Sequence, residues 1–180
     1  MLNIPNSLTV IRILLIPLFI NCLIYQNFLC AFWVFIIAGI TDALDGLIAR
    51  LARQKTLIGA FLDPIADKLL ISSGFITLAI MHKIPKWLVV IVISRDVIIC
   101  LGVLVLFLIN KKPEMKPTWI SKLTTTFQFI TIIMVLFIES TGKSSHKLRS
   151  LYTSTAVFTI LSGFHYLYKG TKLLNNSQKL

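Results

Sequence analysis

The stretch DALDGLIARLARQKTLIGAFLDPIAD, Asp42 to Asp67, sets four aspartates into a chain otherwise dominated by Leu, Ile, Phe and Val. An apolar run of helical length lies on each side of its polar middle, LARQKTLI. The window therefore reads as the end of one helix, a short turn and the start of the next. Asp42 and Asp45 are three residues apart, and Asp63 and Asp67 four apart, so each pair falls on one face of its helix. A short connection makes the two helices antiparallel neighbours, and the acidic faces can then oppose each other.

The rest of the chain decides what kind of helices these are. Of its 180 residues, 56% are hydrophobic and only 14% charged, and the mean hydropathy is +0.85. A soluble domain carries about 25% charged residues, so the composition points to an all-α integral membrane protein. Apolar stretches of spanning length recur at about Leu8–Tyr25, Leu29–Arg50, Gly59–Met81, Trp87–Ile109, Trp119–Ile138 and Leu151–Tyr168. Asn6 or Ser7 is placed to cap the first. The breaks HKIPKW, NKKPEMKPTW and ESTGKSSHKLRS hold Pro, Lys and interfacial Trp. No linker divides the chain, which reads as a single domain over residues 1–180. The start of the chain lacks a basic leader and a small-residue cleavage site, so the first span is expected to be retained.

The net charge is +11, but Lys and Arg sit mostly between the apolar runs, where they orient helices and meet anionic headgroups. Nucleic-acid binding is not expected. Six spans put both termini on one side with the second-to-third and fourth-to-fifth connections. That side holds about ten Lys and Arg against about five opposite, which makes it cytoplasmic by the positive-inside rule. The four aspartates then lie in one layer near the cytoplasmic interface. Cys22, Cys30 and Cys100 have no metal-site spacing, their odd count gives no disulfide framework, and they read as small buried hydrophobes.

Four unpaired carboxylates would repel, and each costs several kcal/mol to desolvate. A salt-bridge network with Arg50, Arg53, Lys55 and Lys68 is one remedy. Hard divalent cations are the other: Mg²⁺, Mn²⁺ or Ca²⁺ takes oxygen ligands, and two such ions balance four charges. Gly46 and Gly59 cost helix stability, about 1 kcal/mol each relative to Ala, which suggests close approach to the backbone. Ala49 keeps the same face small, and Arg50 suits a phosphate as a bidentate partner. Small residues beside carboxylates and an arginine fit a nucleotide diphosphate lying over metal ions; a small-residue helix crossing is the structural alternative.

Asp42-x-x-Asp45-Gly46-x-x-Ala49-Arg50, eight residues, Gly59-x-x-x-Asp63-x-x-x-Asp67 resembles the signature of the CDP-alcohol phosphatidyltransferases, membrane enzymes that build phospholipids. The resemblance extends over most of the chain, including the opening NIPNSLTVIRILLIP. It implies six transmembrane helices, a homodimer, and a polar cavity open to the cytoplasmic interface. It also implies two divalent cations, Mg²⁺ or Mn²⁺, one held by Asp42, Asp45 and Asp63 and the other by Asp42, Asp63 and Asp67. Gly46, Arg50 and Thr56 match positions that contact the CDP-linked lipid, with Ala49 and Gly59 in the same motif, and Asp67 matches the base. Two metals can clamp a pyrophosphate and neutralise departing CMP. Direct displacement is expected, because no Ser–His or Cys–His arrangement is apparent.

The acceptor is read from later segments. ISRDVII, Ile93 to Ile99, and KPTWISKLTTTFQ, Lys116 to Gln128, resemble the CMP-forming cardiolipin synthases. They favour phosphatidylglycerol as acceptor, with glycerol 3-phosphate as the alternative. Either carries a phosphate. Arg95, Lys122 and Arg12 are the candidates to bind it, against the readings that Arg95 pairs with Asp96 and that Lys122 snorkels. The localisation that follows is a multi-pass, bacterial-type inner membrane with the site towards the cytoplasm. Two rival classes are a small cation carrier, which would place its site nearer the midplane and use repeats, and an inactive assembly partner, which has no use for costly charges.

Overall fold

The computed structural model describes residues 4–51, 57–108, 119–143 and 148–175; within these, the side chains of residues 4–8, 43, 45–51, 57–62, 64, 103–108, 170 and 172–175 lie outside the description. Six helices and no strand occur among the described residues: α1 Ile4–Ile24, α2 Phe28–Leu51, α3 Leu57–Ile80, α4 Lys86–Leu108, α5 Trp119–Ser140 and α6 Arg149–Asn175. The middle four follow the apolar runs closely. The outer two run past them, α1 from Ile4 and α6 to Asn175. Backbone hydrogen bonding carries a helix onward through polar residues, whereas hydropathy marks only its apolar part. Among the described residues, α5 is the one helix both long and apolar enough to cross a bilayer. At 22 residues it measures about 33 Å. Thr9–Ile24 and Phe28–Asp42 are shorter apolar stretches within α1 and α2, the second ending at the first aspartate.

Helices α1, α3 and α5 all stop in the same way. Gln26, His82 and Gly142 adopt left-handed φ values of 55°, 57° and 72°. The next amide bonds back to the carbonyl five residues earlier: Asn27 to Cys22 at 2.9 Å, Lys83 to Leu78 at 2.8 Å and Lys143 to Ile138 at 3.2 Å. The left-handed residue's own amide reaches Leu23, Ala79 or Glu139. This is the Schellman closure, which satisfies carbonyls that a helix end would otherwise leave bare. Gly142 enters the conformation freely, while Gln26 and His82 do so at about 1–2 kcal/mol each.

The chain divides into two compact units, residues 1–84 with 132–147, and residues 85–131 with 148–180. In the first, α1 packs against both α2 and α3. Its core holds Phe19, Leu23, Phe35, Ala38, Phe75 and Leu78, all buried, and the Phe19 and Phe35 rings meet at 5.3 Å. A Cβ on Gly74 would lie 3.0 Å from Ile132 Cδ1 and 3.3 Å from Phe19 Cε1, so the glycine permits that approach. In the second unit α4 packs on α6. Phe127 and Phe158 stack at 4.4 Å, and the interior is polar: Thr124, Gln128, Thr131, Thr155, Thr159 and Ser162 are all buried. Thr131 and Thr155 hydroxyls meet at 2.7 Å, and Gln128 Nε2 donates to Thr159 Oγ1 at 3.4 Å. Buried away from water, such groups pair across helices because an unpaired one would be costly.

Candidate active site

The first unit brings aspartates from two helices onto a third. Arg12 of α1 is fully buried, and its Nη1 lies 2.9 Å from Asp42 Oδ1 on α2 and 2.7 Å from Asp67 Oδ1 on α3. One turn earlier on α1, the buried Thr9 donates its hydroxyl to Asp63 Oδ1 at 2.5 Å. Thr9 and Arg12 are three residues apart and so share a face. Asp42 lies nine residues from the end of α2, and Asp63 and Asp67 lie six and ten from the start of α3. At 1.5 Å per residue these are depths of about 9–15 Å from the helix ends, one layer. The two carboxylates on Arg12 remain open, with 43% and 38% of their side-chain surfaces exposed.

This arrangement alters one expectation. The aspartates were expected to need ions, or nearby Arg50, Arg53, Lys55 and Lys68, to offset their charge. For Asp42 and Asp67 the counter-charge is Arg12, read from sequence as an acceptor ligand. Arg12 sits thirty residues from one partner and fifty-five from the other in a helix that reads as apolar, so local spacing gives no sign of the pairing. Among the described residues, no three acidic, His or Cys side chains stand together as a metal-holding group. The Asp45 side chain lies outside the description. The donor set nevertheless fits hard divalent cations. It is all oxygen, and Asp42 and Asp67 each bring a carboxylate to a common nitrogen. Asp45, Gly46, Ala49 and Arg50 lie on α2 and Gly59 on α3, their side-chain positions undescribed. Thr56 lies outside the described residues.

The second unit holds Arg95, of which 6% is exposed. Its Nη1 donates to Asp96 Oδ1 at 2.7 Å, and its Nη2 to Ser121 Oγ at 2.7 Å and Ser162 Oγ at 3.0 Å. The guanidinium also stands 5.8 Å from the Tyr166 ring centre, while its buried Nε has no hydrogen-bond partner among the described residues. A cavity of about 240 Å³ between α4 and α6 is lined by Arg95 together with Ser94, Thr159 and apolar side chains. The expected ion pair with Asp96 is therefore formed, and Arg95 also borders this cavity. Lys122 is exposed, with its ammonium 5.6 Å from the Trp119 ring centre. Ser121 and Ser162 were not among the site residues expected from the sequence. The signal was the polar spacing Ser121, Thr124, Gln128, Thr131 on α5 and Thr155, Thr159, Ser162 on α6, which follows one helix face in each.

A family model described as CDP-alcohol phosphatidyltransferase matches residues 2–163. Over 93% of this chain and 94% of its own length, a Sodalis glossinidius protein named CDP-diacylglycerol--glycerol-3-phosphate 3-phosphatidyltransferase is 34% identical. A Haemophilus influenzae protein of the same name is 34% identical over 98% of both chains. The rat protein named cardiolipin synthase (CMP-forming) is 37% identical over 94% of this chain, which spans 62% of the rat protein's length.

Proposed function

The chain belongs to the CDP-alcohol phosphatidyltransferase family, a transferase of phospholipid biosynthesis, and from that premise we propose that it transfers the phosphatidyl group of CDP-diacylglycerol to glycerol 3-phosphate, releasing CMP. The observation that carries the site is the sharing of one Arg12 nitrogen by Asp42 and Asp67. Residues twenty-five apart on two helices meet there with exposed carboxylates. Similarity to the Sodalis and Haemophilus enzymes over nearly their whole lengths supports glycerol 3-phosphate as acceptor. This reverses the preference drawn from Ile93–Ile99 and Lys116–Gln128. The phosphatidylglycerol reading stays second, favoured by 37% identity to the rat cardiolipin synthase.

Asp42, Asp45, Asp63 and Asp67 would hold two divalent cations, Mg²⁺ or Mn²⁺. When bound, such ions supply charge neutralisation to a pyrophosphate. The acceptor hydroxyl oxygen attacks the phosphorus bearing diacylglycerol, and the bond from that phosphorus to the CMP oxygen breaks. Asp67 takes the hydroxyl proton. Arg12 orients Asp67 and Asp42, and Thr9 orients Asp63. Gly46, Ala49, Arg50, Thr56 and Gly59 form the nucleotide-lipid contact, and Arg95 and Lys122 are the candidates for the acceptor phosphate. In this reading the whole chain works as one domain and dimerises, its six helices span the membrane, and the aspartates face a polar cavity on the cytoplasmic side.

The test incubates purified protein with Mn²⁺ and CDP-diacylglycerol and measures CMP release with each acceptor. Release with glycerol 3-phosphate is expected. Release only with phosphatidylglycerol selects the second reading, and no release with either refutes both. Asp67→Asn is expected to abolish turnover while sparing CDP-diacylglycerol binding. Arg95→Ala is expected to raise the acceptor KM, and an unchanged KM removes Arg95 from the site.

A further inference from the structure

Cys22 and Cys30, read from sequence as buried hydrophobes, are both part-exposed and in contact. Their sulfurs stand 2.7 Å apart, against about 2.05 Å for a bonded pair. The turn between α1 and α2 holds them there through one residue. Asn27 donates its amide to the Cys22 carbonyl at 2.9 Å, and its side-chain oxygen accepts the Cys30 amide at 3.1 Å. The first bond closes α1 and the second caps α2, so both cysteine backbones are tied to the same asparagine. The left-handed Gln26 completes the turn. Cys100 is on α4, exposed, and belongs to the other unit.

We propose that Cys22 and Cys30 form an intramolecular disulfide that staples α1 to α2 at the end opposite the carboxylates. The charge bias of the connections puts this turn outside the cytoplasm, where disulfides persist. The oxidant is a protein or small-molecule disulfide. One cysteine thiolate attacks it to give a mixed disulfide and release a thiol; the second thiolate then attacks the mixed disulfide, forming the Cys22–Cys30 bond and releasing the other thiol. Both protons leave with the two thiol products, and the oxidant is reduced as the pair is oxidised. Along α1, Arg12 lies ten residues from Cys22, and along α2, Asp42 lies twelve from Cys30. The staple and the Arg12–Asp42 pair thus close the two ends of one helix pair. The proposal does not depend on which acceptor the enzyme uses.

The test expresses the full chain, quenches the cells in acid to freeze thiol exchange, denatures the protein and labels it with a maleimide-linked polymer that retards migration for each free thiol. One label, on Cys100, is expected before reduction and three after it. Cys100→Ser should take none before reduction, and Cys22→Ser should take two. Three labels on the unreduced wild type overturn the proposal, as does a reducible dimer band in place of the internal bond. A second readout uses folded protein in detergent. Reduction should lower the melting temperature of the wild type but not that of Cys22→Ser/Cys30→Ser, and an equal response of the two proteins overturns the staple.

Discussion

Replacing Arg12 by Met keeps the apolar stem and removes the charge, and the geometry sets the size of the effect. Asp42 Oδ1 and Asp67 Oδ1 lie 2.9 and 2.7 Å from one nitrogen, hence no more than about 5.6 Å from each other. At an effective dielectric of about 20, two like charges at that separation repel by about 3 kcal/mol. Water lowers this figure, since the two side chains are 43% and 38% exposed. The variant also loses the charge-assisted hydrogen bond to Asp67, about 1.5–3 kcal/mol before the same discount. A net loss of about 3 kcal/mol follows, the low end for breaking a buried pair. The assay is denaturant unfolding in mixed micelles with a chelator present, followed by circular dichroism. Adding Mn²⁺ should then narrow the gap to wild type, because divalent ions supply the charge that the variant lacks. A variant within about 0.5 kcal/mol of wild type in chelator, the size of an innocuous surface change, refutes the reasoning.

Gly74→Val drives a branched side chain into Ile132 and Phe19, whose atoms already lie 3.0 and 3.3 Å from where a Cβ would sit; an overpacking loss of about 1–3 kcal/mol is expected in the same unfolding assay. A double-mutant cycle on Thr131→Val and Thr155→Val, whose hydroxyls meet at 2.7 Å, should give a coupling of about 0.6–1.7 kcal/mol, modest because each hydroxyl also has its own helix carbonyl, of Phe127 or Leu151, within reach. Glu139 is 7% exposed and bonds Lys83 at 2.6 Å, so Lys83→Met should destabilise more than Lys83→Met/Glu139→Leu; comparing their unfolding midpoints checks that order, since the single variant leaves a buried carboxylate without this partner.

What could be read from the chain follows from what each signal is made of. Helices α2 to α5 were legible because a preference for apolar surroundings is written in nearly every residue of a long apolar run. The ends of α1 and α6 were not, because a helix continues on hydrogen bonds that leave no mark in hydropathy. The aspartates stood out because a carboxylate in such a chain is costly and its spacing is local. Their partners were hidden for the converse reason. Nothing within a turn of Thr9 or Arg12 distinguishes a hydroxyl and a guanidinium that meet acids from one that meets lipid headgroups or substrate. The pairing exists only once α1 lies against both α2 and α3. Cys22 and Cys30 were missed similarly: eight residues apart, they meet only because Gln26 turns left-handed and Asn27 ties both helix ends.

The same contacts bear on why an enzyme, and not a cation carrier, suits this acidic layer. Thr9 and Arg12 together reach Asp42, Asp63 and Asp67 at 2.5 to 2.9 Å. Sliding α1 by one turn, about 5.4 Å, would break all three contacts and leave a fully buried guanidinium without its carboxylates. A carrier must move the elements around its ion between two states, so it would meet that cost in every cycle. Phosphoryl displacement gains from the opposite property. Its acids serve best when held in place before the substrate arrives, with no reorganisation at the moment of reaction. A buried arginine locking two exposed carboxylates into register provides such fixity, and it does so from a helix that contributes no acid of its own.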